Sequence, residues 1–164
     1  MSGRVPIGVA LALLVASGCQ SGPEPIRYGQ QECAFCRMRI ADPRFASELV
    51  TAHGKTVVFD ALECLIEFAA GDGGAAAAGG TVWVSDFSRP GELIDARGAV
   101  YLRSDGVRSP MGLNALAFSA PAALEQARAQ YPGTLVTWDE LQPLAHALHA
   151  RRATQRSAPG AARP

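Results

Sequence analysis

The chain has 164 residues, 15 basic and 15 acidic side chains and a formal net charge of zero. That balance argues against a nucleic-acid partner, which needs a basic surface, and the length suits one domain or two very small ones. Hydrophobic residues make up 48%, a share raised by alanine but sufficient for a core.

The first elements concern export. Residues 1–18 have the layout of a bacterial secretory signal, with Arg4 in the positive region and a short apolar run from Ile7 to Ala16. That run is too short to span a bilayer as a stable helix. Ala16-Ser17-Gly18-Cys19 then supplies the small residues that a lipoprotein signal peptidase needs before its cysteine. Cys19 is therefore expected to be lipidated and to anchor the chain to a membrane, since two acyl chains suffice. Residues 19–31 are read as the lipidated cysteine and its tether, because Gly22, Pro23 and Pro25 oppose regular structure.

A sulfur-rich run follows, Glu32-Cys33-Ala34-Phe35-Cys36-Arg37-Met38. Beyond it, Arg44 to Thr51 alternates as a strand, His53-Gly54-Lys55 makes a turn, and Thr56 to Phe59 is a β-branched strand. Asp60 is expected to cap a helix, with Glu63 as its capping-box partner and Leu62, Leu65, Ile66 and Phe68 as the apolar face. Ala69 to Gly80 reads as an Ala/Gly loop, and Thr81 to Phe87 as the next strand. Leu93 to Asp95 and Ala99 to Arg103 are short strands. Leu116 to Ser119 is another, and Ser119 with Pro121 opens a helix through Tyr131. Thr134 to Trp138 is a strand, and Asp139 caps a last helix to about Ala150. The pattern predicts an α+β fold of two similar β-β-α-β units packed together. They occupy about 32–90 and 91–150 of a single domain at 32–150. Residues 151–164, rich in Arg, Ala, Pro and Ser, are expected to be a disordered tail.

Sulfur carries the candidate chemistry. Cys33 and Cys36 bracket two residues, the spacing of metal knuckles and redox dithiols. Met38 adds a thioether, a poor zinc ligand but a good one for monovalent copper. Met111 stands in Ser109-Pro110-Met111-Gly112, where it either fills a packed turn or brings a second thioether to the first-half site. Cys64 reads as a buried packing residue of its helix, and His146 and His149 as a solvated pair near the end of the last one. Arg37 and Arg39 flank the sulfurs and would favour a Cys36 thiolate or dock an acidic partner. A thiol-disulfide protein using Cys33 and Cys36 is the rival reading. A zinc site is weaker, for want of a fourth ligand near the trio.

The chain resembles the NosL family, the nitrous oxide reductase accessory lipoproteins. The matching features run in order from the lipobox before Cys19 through Cys33-Ala-Phe-Cys36-Arg-Met38 and Val58-Phe59-Asp60-Ala-Leu-Glu-Cys64. They continue with Ala99-Val-Tyr101-Leu and Ser109-Pro110-Met111-Gly112, and close on Gly133-Thr-Leu-Val-Thr-Trp-Asp-Glu-Leu. The resemblance implies a copper chaperone rather than an enzyme, lipid-anchored on the periplasmic side of a bacterial membrane. Its cargo would be one Cu(I), passed between copper-delivery machinery and an apo copper enzyme, nitrous oxide reductase or another exported copper protein. The family's Cys-x-Met ligand motif maps onto Cys36 and Met38. Met111 is the natural further ligand, and Cys33 either ligates or pairs with Cys36 when copper is absent.

Overall fold

The structure is a computed structural model and describes residues 22–157. The expected signal segment 1–18 and Cys19 lie outside the described residues. The fold is α+β, with two antiparallel sheets and helices packed on them.

Strand β1 (Ser47–Val50) and strand β2 (Thr56–Phe59) form a hairpin. Gly54 closes its turn at φ 77, a left-handed conformation that glycine adopts without strain. Helix α1 (Leu62–Ala70) follows and stops at Gly71, whose N–H donates to the Glu67 carbonyl at 3.1 Å. The Ala/Gly stretch expected as an irregular loop contains one helical turn, α2 (Gly74–Ala77). Alanine's helix propensity and the close seat of Gly73 on the Phe68 ring, which leaves no room for a Cβ, account for it. Strand β3 (Thr81–Ser85) pairs with β1 and strand β4 (Leu93–Asp95) with β3, giving the order β2-β1-β3-β4. Leu93 to Asp95 therefore belongs to the first sheet, not to the second half as its sequence position suggested. The turn at 86–92 folds it back, held by the Asp86 N–H on the Glu92 carbonyl at 2.8 Å.

Strand β5 (Val100–Arg103), strand β6 (Ala115–Phe118), helix α3 (Pro121–Gln130) and strand β7 (Thr134–Val136) build the second sheet in the order β6-β5-β7. Strand-strand-helix-strand thus occurs as β1–β2–α1–β3 and again as β5–β6–α3–β7, with the first strand central each time.

Helix α4 (Trp138–Ser157) packs against α1. Its capping box is Thr137 with Glu140, not Asp139. The Thr137 N–H donates to Glu140 Oε2 at 2.8 Å and the Glu140 N–H to Thr137 Oγ1 at 3.2 Å. It continues to Ser157 where an end near Ala150 and an irregular tail were expected, because Ala, Arg and Gln sustain a helix well. The tether is also shorter than residues 19–31. The Glu24 N–H donates to Glu48 Oε1 at 2.8 Å and Ile26 is buried, so the fold begins there.

Leu62, Ile66, Val84, Tyr101, Leu113 and Leu141 form a core shared by both halves. Each large apolar side chain so buried contributes about 1.5–3 kcal/mol. A polar tie reinforces it. Buried Glu63 accepts, at Oε1, from Ser109 Oγ at 2.7 Å and the Leu113 N–H at 3.1 Å, linking α1 to the loop that carries Met111.

Candidate metal centre

The sulfur run forms a small hairpin. Glu32 bridges Arg39, the Ile40 N–H donates to the Gln31 carbonyl at 2.9 Å, and the Cys33 N–H to the Met38 carbonyl at 2.8 Å. At its tip the Arg37 N–H returns to the Cys33 carbonyl at 3.1 Å, and Arg37 takes φ 64, a conformation uncommon for a residue with a Cβ. The Ala34 N–H donates to the Val58 carbonyl at 3.0 Å, which lays the hairpin across the end of β2. There the chain turns into α1, bringing Asp60 and Cys64 beneath the loop.

The result is a cluster of Cys33, Cys36, Asp60 and Cys64, whose ligand atoms all lie within 4.8 Å of one another. All three cysteines are free thiols. Cys33 and Cys64 are buried, and Cys36 is half-buried. The Cys36 thiol faces both carboxylate oxygens of Asp60 at 3.4 Å. Asp60 is therefore a wall of the thiol cluster. Ala61 occupies the cap position expected for it, with no side-chain cap, and Glu63 reaches to Ser109 instead of back to the cap.

The thiols differ in acidity. Cys33 is pulled down to about 7, first by the hydrogen bond from the Cys64 thiol and then, against burial, by the backbone N–H groups of Asp60, Cys36 and Phe35. Burial pushes Cys36 up to about 12, with Cys33 and Asp60 adding to the rise, and the exposed Arg37 and Arg39 do not offset it. Cys64 is raised, first because its thiol donates to Cys33 and then by burial. Cys33 is thus the most readily ionised sulfur of the cluster.

The two methionines differ in exposure. Met38 is exposed at 43% on the rim beside Cys36. Met111 lines a crevice with Phe35, Cys64, His149 and Arg152, and its Sδ accepts an Arg152 N–H at 3.6 Å. So Met111 approaches the cluster from the Cys64 side. His149 is not simply solvated, since its ring meets Phe35 edge-on at 5.4 Å. His146 Nδ1 lies 2.6 Å from Glu67 Oε1.

The same backbone pattern recurs where β3 leads toward the second sheet. The Phe87 N–H donates to the Ala117 carbonyl at 2.8 Å, as Ala34 does to Val58. The Ser119 N–H donates to Asp86 Oδ2 at 3.2 Å. The Ser88 N–H donates to Asp86 Oδ1 at 2.9 Å, in the place of Phe35. Arg89, at the position of Cys36, puts a guanidinium N–H 3.0 Å from Asp86 Oδ2. Ser119, expected as a cap, serves this second loop, and Ala120 is the cap.

The NosL family model matches residues 27–145. The chain belongs to the NosL family. Among solved structures it is similar to the copper chaperone NosL from Shewanella denitrificans, with 25% sequence identity and a TM-score of 0.57 over 72% of this chain and 96% of that one. No match was found among curated proteins. Among the described residues no helix is long and apolar enough to cross a membrane.

Sequence reasoning placed Cys33, Cys36, Met38 and Met111 as candidates, and the fold brings Cys33 and Cys36 together, with Met38 on the rim and Met111 behind Cys64. It missed Asp60 and Cys64 as members of the cluster. The available signal was the position of Asp60 and Cys64 around a strand-to-helix turn, which aims both at whatever crosses the strand's end.

Proposed function

We propose that this NosL protein is a copper chaperone, a carrier rather than a catalyst, that holds one Cu(I). Cys36 and Met38 are the accessible ligands, completed by Met111 or Cys33. The observation that carries this reading is the gathering of three free thiols within 4.8 Å beneath a loop whose rim bears an exposed thioether. Sulfur donors select monovalent copper over harder ions, and the similar Shewanella protein is itself named a copper chaperone. A half-open site suits transfer, because an incoming ligand can attack before the outgoing one leaves. The acidity pattern speaks against thiol-disulfide catalysis. The more acidic sulfur, Cys33, is buried, and the accessible one, Cys36, is held at about 12.

In this reading the chain is exported, anchored through Cys19 on the periplasmic side of a bacterial membrane, and delivers copper for assembly of nitrous oxide reductase. We also read the two strand-strand-helix-strand stretches as copies of one unit. Anaerobic titration against a chromophoric Cu(I) chelator tests the carrier role. The wild-type protein takes up one equivalent, and replacing both Cys36 and Met38 by Ala abolishes that uptake. A double variant that still bound one copper tightly would falsify the assignment.

A further inference from the structure

We propose that copper taken up at Cys36 and Met38 settles in an interior position between the sulfurs of Cys33, Cys36 and Cys64, so that Cys64 is a ligand of the cargo. This rests on the copper-carrying reading above and deepens it.

Geometry is the first support. An ion held by three thiolates at metal–sulfur bonds of about 2.3 Å separates its sulfurs by about 4 Å. The cluster atoms already lie within 4.8 Å of one another, so small side-chain adjustments close the site. Cys33 and Cys64 are 0% and 1% exposed, which keeps this position dry and favours a soft ion that binds few water molecules.

The second loop is an independent support. There, a buried anion ringed by the N–H groups of Ser88 and Ser119 is neutralised by Arg89 from three residues on. In the loop at Cys33 the residue three positions on is Cys36, which offers sulfur where Arg89 offers positive charge. Cu(I) lies where the guanidinium lies in the other loop, bound to the sulfur that replaces it. At the position matching Cys64, counted from Phe59 and Phe118, the second half has Ala123. The third sulfur thus occurs only in the half that lacks the internal cation.

The step balances simply. Each copper–sulfur bond to a thiol replaces an S–H bond, the proton leaves to solvent, and copper stays monovalent. Asp60 accepts the Cys36 thiol before loading and remains beside the site, a hard oxygen that zinc would use and Cu(I) does not need.

X-ray absorption at the copper edge, paired with chelator competition, tests the proposal on the Cu(I)-loaded full chain. Cys64→Val is expected to lower the sulfur count by one and weaken copper binding by at least about tenfold, the lower end of what losing even a ligand-orienting residue costs. Cys64→Ser, which keeps size and a polar edge, serves if the valine variant fails to fold and should show the same loss. Unchanged sulfur count and affinity in the folded variants, while Cys36→Ala with Met38→Ala loses copper, would overturn the interior position and leave the carrier role standing. Zn(II) outcompeting Cu(I) for the quartet would overturn it too. A wild-type chain that binds no copper removes both.

Discussion

Two loops in this molecule share one backbone and differ in chemistry. Each crosses the end of a strand and ties its second residue to a carbonyl there. In the loop at Asp86 the anion is a carboxylate, the partner is the guanidinium of Arg89, and the charges close on themselves. In the loop at Cys33 the matching position holds a thiol, and the partner position, Cys36, holds another. On the proposed reading, a structural loop and a cargo-binding loop differ by whether that partner is a guanidinium or a thiol.

The most direct way to break this comparison is to move the chemistry. In a background with Cys33 and Cys36 replaced by Ala, Asp86→Cys with Arg89→Cys should create measurable Cu(I) uptake. Adding Ala123→Cys should tighten it by about tenfold or more. Chelator competition reads both steps, and the absence of any uptake in a folded variant would show that the two backbones are not equivalent. Next in size is stability. Asp86→Ala leaves Arg89, Ser88 and Ser119 without their acceptor and is expected to cost about 3 kcal/mol, seen as a drop of roughly 10 °C in Tm. A loss below about 1 kcal/mol would mean that the loop does not depend on its carboxylate.

The same group sharpens the comparison through pH. Burial works against ionisation of Asp86, but hydrogen bonds from Ser88, Ser119 and Arg89 outweigh it and hold the carboxyl below the usual range. A depressed acid contributes stability above its ordinary value of about 4 and loses it as the pH falls through the depressed one. Urea midpoints should therefore decline on the acid side, and Asp86→Asn should flatten that decline. An acid limb of unchanged slope in the variant would assign it to other carboxylates.

Smaller effects probe how the two halves are joined. Glu63→Ala removes both hydrogen bonds to the Met111 loop and should cost about 2 kcal/mol by denaturant titration. If the loop is held by apolar packing alone, the cost will fall well short of that. His146→Ala deletes a contact with Glu67 whose histidine is 45% exposed, and its effect should stay under about 1 kcal/mol.

The strands were legible because their β-branched and aromatic runs announce themselves. Thr56–Phe59 matches its expected bounds, and Thr81–Ser85 lies within its expected run. Helix starts were not. Asp60, Ser119 and Asp139 all have the local look of caps, yet Asp60 faces Cys36 across 24 positions and Ser119 faces Asp86 across 33. A capping motif is read over four residues, and such a reading cannot register a distant competitor for the same polar group. Cys64 was lost for the same reason. On its own helix it is a small apolar side chain, and its chemistry comes from a loop laid over it. The extension of α4 past Ala150 was hidden by a composition that suits a helix and an irregular tail alike.

The early start of the fold, with the Glu24 N–H fixed to Glu48, bears on reach. With the anchor proposed at Cys19, four residues separate it from Glu24, and the five steps from one to the other span no more than about 18 Å. On the proposed reading, a partner that exchanges copper with this protein meets it while it is held close to the bilayer surface. Lengthening the leash, with no change to a single sulfur, would widen the set of proteins it can meet.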